Sequence, residues 1–198
     1  MLDELLRQPG VVETVELRST FGFMAFHGGL EGGTETVAAQ AARRAAASLY
    51  LVVQPPSLIW HIPSHFVSPD HSPGLARFLD HVEVAVAVHG YGRKGRPDDL
   101  LLGGTNRALA ANLAASFRRR QDGFTIVDDL AAIPVELRGL HPDNPVNRPR
   151  QGGVQVELPP RARGASPSPL RRGDPCVPAQ TVVDALAETA MTWPPTHL

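Results

Sequence analysis

Short apolar runs alternate along this chain with longer segments in which apolar residues recur every three or four positions. Two of the short runs, residues 21–28 and 82–90, are apolar on both faces, as expected for strands in a sheet that is covered on both sides. Further strands are predicted at 11–18, 57–62, 99–104 and 153–159. The longer segments predict helices at 34–52, 105–123 and 178–193. The alternation indicates an α/β fold with helices on both faces of a central sheet.

Two proline- and glycine-rich segments interrupt this pattern. Residues 138–153 contain too much proline, glycine and asparagine for regular structure, which predicts a loop held by tertiary contacts. Residues 159–178 are predicted to form a surface loop before the closing helix at 178–193. Because 198 residues suit one domain with a substantial core, we expect a single domain over 1–198.

Composition and charge narrow the class of protein. Hydrophobic residues make up 42% and charged residues 20%, with a formal net charge of -1, which is typical of a globular protein without a polyanionic partner. We therefore expect neither nucleic acid nor membrane as a partner, and the oligomeric state stays open. Cys176 is the only cysteine, which excludes an internal disulfide. The first residues carry acids and no apolar core of a signal peptide, which favours a cytoplasmic protein, with release by lysis as the alternative.

Two of the predicted interior strands end in the same dipeptide. His27 and Gly28 close the run "FMAFHG", and His89 and Gly90 close "AVAVHG". Ligands of open α/β sheets bind beyond the carboxyl ends of the strands, where such histidines would meet. A single histidine at a strand end is more often structural, but its repetition favours a shared site.

The ten residues "FHGGLEGGTE" add carboxylates beside the first histidine. Catalytic zinc takes three protein ligands, commonly histidines and a carboxylate, and keeps one position open. With His27 and His89 as two ligands, the third is Glu31 or Glu35. Glu31 is favoured because it lies in the loop, whereas Glu35 is also explained as an acid in the first turn of a helix. Glu157, on the polar side of a late strand, is the candidate general base that a zinc-activated water requires.

Substrate recognition has weaker candidates in the loops. His65 is predicted to line the pocket, although Pro63 between His61 and His65 excludes a zinc-binding helix. Asn147 and Arg148 can bind a carboxylate through charge-assisted bonds, or can simply fix their loop. Arg107 has the same two interpretations, as a carboxylate ligand or as a solvated residue at a helix start.

Five motifs in order, "AFHGGLEGGTETVA", "SLIWHIPSHF", "VAVHGYGRKG", "LLGGTNRAL" and "PVNRPRQGGVQVELP", resemble the phage and bacterial poly-γ-glutamate hydrolase family. The resemblance covers residues 20–163, approximately, and this family consists of zinc peptidases similar in fold to carboxypeptidase A. It implies a mixed central sheet in one zinc-carboxypeptidase-like domain, with His27, Glu31 and His89 on zinc and Glu157 as general base and acid.

The same resemblance implies a substrate. It implies hydrolysis of an amide formed through a glutamate side-chain carboxyl, with Arg148 recognising free carboxylates of a γ-glutamyl or peptide substrate. The spacer before the ligand glutamate is one residue shorter than in the phage pattern, so Glu35 remains the alternative to Glu31.

Two other functions remain compatible with the sequence. One is an amidohydrolase that acts on N-acyl amino acids with the same zinc site. The other is a non-catalytic phage- or replication-associated binding protein, against which the near-neutral charge argues.

Overall fold

A computed structural model describes residues 1–165 and 176–194. The helices within these ranges are α1 (Leu2–Leu6), α2 (Thr34–Ala45), α3 (Pro73–His81), α4 (Arg107–Arg120) and α5 (Gln180–Thr192). The strands are β1 (Val12–Glu16), β2 (Ser19–Gly28), β3 (Ala47–Val53), β4 (Val84–Gly90), β5 (Asp99–Leu102), β6 (Thr125–Val127) and β7 (Gly153–Leu158). Four short 3-10 turns lie in the connections, at Ser64–Phe66, Pro69–His71, Val135–Leu137 and Pro145–Asn147.

The strands form one mixed sheet in the order β1-β3-β2-β4-β7-β5-β6. The four central strands β3, β2, β4 and β7 run parallel to one another. β1 is antiparallel to β3, and β5 is antiparallel to β7. The predicted fold class, one α/β domain with a mixed central sheet, is confirmed.

The alternation of side chains along the central strands builds two cores. Phe23 of β2 and Val86 of β4 point to the face covered by α2, α4 and α5. Met24 and Ala87, one position later, point to the face covered by α1 and α3. Both faces are therefore apolar, which explains why β2 and β4 carry almost uninterrupted apolar sequence.

The order of the strands reverses between β2 and β4. From β2 the chain passes through α2 to β3 on one side, and then through α3 to β4 on the other side of β2. Because the two crossover helices cover opposite faces, a crevice opens beyond the carboxyl ends of β2 and β4. The two His-Gly dipeptides lie at this point.

Two predicted elements were wrong. The segment 34–52 is not one helix, since α2 ends before Ala46, whose φ of 49° is left-handed, and β3 follows. β3 hydrogen-bonds to strands on both sides, and sheet pairing decides over the helix propensity of the preceding alanines. The predicted strand at 57–62 is a loop, in which the side-chain amide of Gln54 bonds the backbone N–H and carbonyl of Trp60.

The C-terminal part was predicted to contain a surface loop, 159–178, and a closing helix, 178–193. The predicted closing helix corresponds to α5. Residues 166–175 of the predicted surface loop 159–178 lie outside the described residues. Part of that segment is not at the surface, because Ala162 and Arg163 are buried, whereas Arg161 is exposed. Within 1–165 and 176–194, every helix is too short or too polar to cross a bilayer.

Candidate metal centre and active site

Three neighbouring parallel strands bring one functional side chain each to the same edge of the sheet. β2 contributes His27, β4 contributes His89, and β7 contributes Glu157. His89 and Glu157 are direct partners in the β4–β7 register. All three side chains are about 3% exposed, although they lie at strand ends. The sequence prediction that the two His-Gly strand ends converge is confirmed by this geometry.

The loop between β2 and α2 returns Glu31 to these histidines. Its first turn is closed by a bond from the Glu31 N–H to the His27 carbonyl, 2.9 Å long. Gly33 allows the chain to enter α2 with φ of 91°, and a Cβ there would lie 2.2 Å from the Arg163 carbonyl oxygen. The glycines of "GGLEGG" therefore permit a tight return that other residues would strain.

The carboxylate of Glu31 bridges the two histidines. Its Oε1 lies 2.9 Å from His27 Nδ1, and its Oε2 lies 3.4 Å from His89 Nδ1. The Gly90 N–H donates to Oε2 at 2.8 Å. One ligand atom from each of His27, Glu31 and His89 lies within 4.8 Å of the others, which is a spacing that can hold a metal ion.

Glu35, the alternative ligand, faces a different group of atoms. Its carboxylate accepts hydrogen bonds from the N–H groups of Gly29, at 3.3 Å, and Gly33, at 3.4 Å. These contacts place it at the N-terminus of α2, where the helix dipole favours an acid. The structure therefore brings Glu31, and not Glu35, to the histidines.

Hydrogen bonding around His27 favours a cation between it and Glu31. His27 Nε2 lies 2.8 Å from the Ile62 carbonyl oxygen, which only accepts, so Nε2 carries the proton. In the neutral ring, Nδ1 then presents a lone pair to the Glu31 oxygen. Two acceptors at 2.9 Å require a proton or a metal ion between them, and a ligand histidine commonly donates its other N–H to a carbonyl in this way.

The charges of the cluster depend on one another. Burial acts to raise the pKa of Glu31, but the charge of His89 and the bond with His27 outweigh it, so the pKa lies well below its usual range. Burial acts to lower the pKa of His89, but the Glu31 charge outweighs it and the pKa is raised. His89 Nε2 is buried without a hydrogen-bond partner in the described part of the chain. A carboxylate and two imidazoles are a donor set that suits Zn²⁺, which would bind the deprotonated rings.

A chain of amides orients Glu157. The side chain of Asn144 donates to Gln155 Oε1 at 2.8 Å, and Gln155 Nε2 donates to Glu157 Oε1 at 2.8 Å. Burial raises the pKa of Glu157 to about 7, and the nearby Glu31 charge adds to this while His89 opposes it. A carboxylate with this pKa is suited to take up and release a proton near neutral pH.

The raised pKa of Glu157 predicts a pH-dependent cost in stability. Between pH 4.5 and 7, folded Glu157 is protonated while the unfolded group is ionised, so the free energy of unfolding falls as pH rises and is level above about 7. At about 1.4 kcal/mol per pKa unit, the loss is on the order of 3 kcal/mol. The free energy of unfolding should therefore be compared between metal-free Glu157→Gln and metal-free wild type by urea unfolding. The difference in favour of the variant should be larger at pH 8 than at pH 4.5 by that amount. An equal difference at both pH values would contradict the assigned environment, and Glu16→Gln, at a half-buried strand glutamate paired with Arg18, is the control.

A cavity of about 570 Å³ opens above the four side chains. This volume is within the range of small-molecule sites. Its wall carries three more histidines, His61, His65 and His141. The ring of His61 lies 4.7 Å from that of His27. Burial lowers the pKa of His61. The rings of His65 and His141 lie 4.7 Å apart. His65 thus lines the cavity as expected, and its role in substrate binding stays a prediction.

Comparison with known proteins gives the family. Residues 3–166 match the family model described as Poly-gamma-glutamate hydrolase. The chain belongs to the poly-gamma-glutamate hydrolase family. The predicted family is thereby confirmed.

Solved structures share the fold of this family member. The structure of a bacteriophage poly-gamma-glutamate hydrolase has a TM-score of 0.74 at 24% identity, covering 94% of this chain and 91% of that one. A structure described as YNDL-apo (Zinc-free) has a TM-score of 0.67 at 21% identity, covering 90% and 86%. A carboxypeptidase-like protein from Burkholderia mallei has a TM-score of 0.51 at 9% identity, covering 96% and 64%. The carboxypeptidase-like fold predicted from the motifs is confirmed.

One curated relative is similar in sequence. UPF0714 protein YndL of Bacillus subtilis (strain 168) is 29% identical over 153 residues, covering 75% of this chain. The chain spans 56% of the length of that relative.

The poly-gamma-glutamate hydrolase motif "PVNRPR" does not bring its polar residues to the cavity. Asn147 donates to the carbonyls of Gly139, at 2.7 Å, and His141, at 3.0 Å, and thereby fixes its loop. Arg148 is exposed and lies outside the described residues that line the cavity. The positions of both residues therefore do not support the substrate-binding roles predicted for them. Arg107 bonds three backbone carbonyls, those of Leu102, Gly104 and Asp128, and is structural.

Sequence reasoning missed several residues around the site. His141 and His61 line the cavity, although neither was predicted to do so. Asn144 and Arg163 are distant in sequence from the residues they support, and no spacing indicates their roles. Gln155 had a usable signal, because it shares a strand face with Glu157.

Proposed function

We propose that this protein is a zinc-dependent hydrolase of γ-glutamyl amide bonds, in poly-γ-glutamate or a related γ-glutamyl peptide. One observation carries the proposal: the ligand atoms of His27, Glu31 and His89 lie close enough together to share one metal ion. Glu157 lies beside His89, and all four side chains line the same cavity. The family description supports the substrate class. The description of one related structure as zinc-free supports zinc as the ion.

His27, Glu31 and His89 would hold the ion. Zinc bound there supplies polarisation of the scissile carbonyl and activation of water. Glu157 accepts a proton from the attacking water and returns it to the leaving nitrogen. Gln155 keeps one oxygen of Glu157 fixed, so that the other oxygen faces the reacting atoms. A γ-carboxyl product and a free amine leave, and Glu157 is again ionised.

The cavity wall supports a substrate that carries carboxylates. Among the described residues that line it, no arginine or lysine is present, so the histidine rings offer the N–H donors for a carboxylate. His141 Nδ1 accepts from the Asp143 N–H at 3.1 Å, so its Nε2 carries the proton and can donate to a carboxylate. We assign substrate carboxylate binding to His65 and His141, in place of Arg148.

A substrate panel tests this function. The full chain, loaded with zinc, should release glutamate or shorter oligomers from poly-γ-glutamate, while α-linked polyglutamate and N-acetylglutamate are hydrolysed at least about 100-fold more slowly. Discrimination of this size corresponds to about 3 kcal/mol, the cost of a misplaced polar substrate group. A chelator should stop the reaction, and added zinc should restore it.

Each alternative has its own outcome in that panel. Preference for N-acyl amino acids would replace the γ-glutamyl assignment with an amidohydrolase. Zinc binding without turnover of any member would contradict an enzymatic role, and a strongly salt-dependent affinity for DNA would then favour the binding protein.

A further inference from the structure

One buried guanidinium, that of Arg163, connects the three segments that carry the catalytic groups. Arg163 follows β7 by five residues and is 9% exposed. Its Nη1 donates to the Gly32 carbonyl at 2.6 Å, its Nε to the Leu158 carbonyl at 3.2 Å, and its Nη2 to the Tyr91 carbonyl at 3.4 Å.

Each of these three carbonyls lies next to a functional residue in the chain. Gly32 follows Glu31, and Leu158 follows Glu157. Tyr91 is two residues after His89. From these contacts we propose that Arg163 is a positioning residue, which sets the relative placement of the proposed zinc ligands and of the general base. The inference rests on the proposed function and adds a residue to it.

The packing around the guanidinium supports a dedicated place for it. A Cβ on Gly90 would lie 2.7 Å from Arg163 Nε, so only glycine lets the guanidinium reach the end of β4. The glycine after His89 is thereby explained by Arg163. The planar guanidinium carries its donors on three separate nitrogens, and each of the three serves a different carbonyl, which the single nitrogen of lysine cannot do with the same geometry.

The charge of Arg163 acts on the same residues. Glu31 and Glu157 both interact with it electrostatically. Its positive charge therefore partly cancels the charge of two neighbouring carboxylates and weakens their attraction for a metal cation. Its hydrogen bonds, in contrast, hold the ligand segments in place. A useful substitution must separate these two effects.

Arg163→Lys keeps the charge and removes the fork, so it isolates positioning. We expect zinc affinity to fall by about 10–100-fold, which is typical for loss of a group that orients ligands. The measurement is competition of the full chain with a chromophoric chelator for zinc. Arg161→Lys is the matched control, because Arg161 bonds the half-buried Asp98 and two carbonyls away from the site.

The thermal midpoint of each metal-free protein separates positioning from general stability. A lower midpoint with zinc affinity within about twofold of wild type would overturn the inference, because Arg163 would then only stabilise the fold. If Arg163→Lys does not fold, Gly90→Ala, which displaces the guanidinium by one methyl group, takes its place and should weaken zinc binding in the same way. If the wild-type protein binds no zinc, the proposed function itself is overturned. If the wild type binds zinc and the variants bind it with the same affinity, only the role of Arg163 is overturned.

Discussion

Glu157→Gln should lower kcat for γ-glutamyl hydrolysis by about 10³-fold and leave the zinc content unchanged. General acid–base catalysis contributes roughly 10²–10⁴-fold, and the amide of glutamine cannot accept a proton from water. Glutamine has nearly the shape of glutamate, so the buried position beside Gln155 remains filled. Steady-state kinetics and elemental analysis on the same preparation check both parts.

The controls for this substitution keep its chemistry constant. Glu16→Gln makes the same change at a half-buried residue of β1, at the far edge of the sheet, and should keep wild-type kcat and zinc content. If Glu157→Gln keeps the wild-type kcat, Glu157 is not the general base. Loss of zinc in the same variant would instead indicate that Glu157 is a ligand.

His89→Ala should abolish stable zinc binding. Wild type is expected to hold about one zinc per chain after dialysis, as a three-ligand site does. Removing one of the three ligands should weaken zinc by more than the roughly 10–100-fold that loss of an outer partner costs. Elemental analysis of dialysed protein measures the ratio, and activity should fall in parallel with it.

Two further variants make the result specific. His81→Ala removes a histidine that bonds the Arg18 carbonyl outside the cavity, and it should keep its zinc. His89→Gln replaces the ring by a polar side chain, in case alanine beside the buried Phe26 destabilises the fold. Full zinc content in both His89 variants would show that the histidines at the two strand ends do not share an ion.

Local pattern predicted the strands that carry the site. β2 and β4 are apolar on both faces, which marks interior strands irrespective of their partners. His27 and His89 each interrupt such a strand at its end, where a polar side chain must have a reason to be buried. Glu31 was favoured over Glu35 because the acid of a helix first turn already has a role, and the contacts of Glu35 agree with that argument.

Pattern failed where a distant partner decides the conformation. β3 was predicted as helix because its alanine-rich approach has helical propensity, yet its pairing with β1 and β2 supplies backbone bonds that propensity does not anticipate. The segment 57–62 has the composition of a strand, but it pairs with none of the seven strands of the sheet, and Gln54 bonds the backbone of Trp60 instead.

The sequence by itself determined the fold class, the family through its ordered motifs, and His27, His89 and Glu157 as candidates with Glu31 favoured over Glu35, because apolar periodicity and the His-Gly and glutamate motifs are local properties. Only the tertiary structure decided which side chains support them. Asn144 orients Gln155 across 11 positions, and Arg163 bonds Gly32 across 131 positions. The position of Arg148 also depends on packing. Arg148 lies at the surface, and histidines line the cavity in its place. Such contacts depend on how the chain closes in space, and no spacing along the sequence records them.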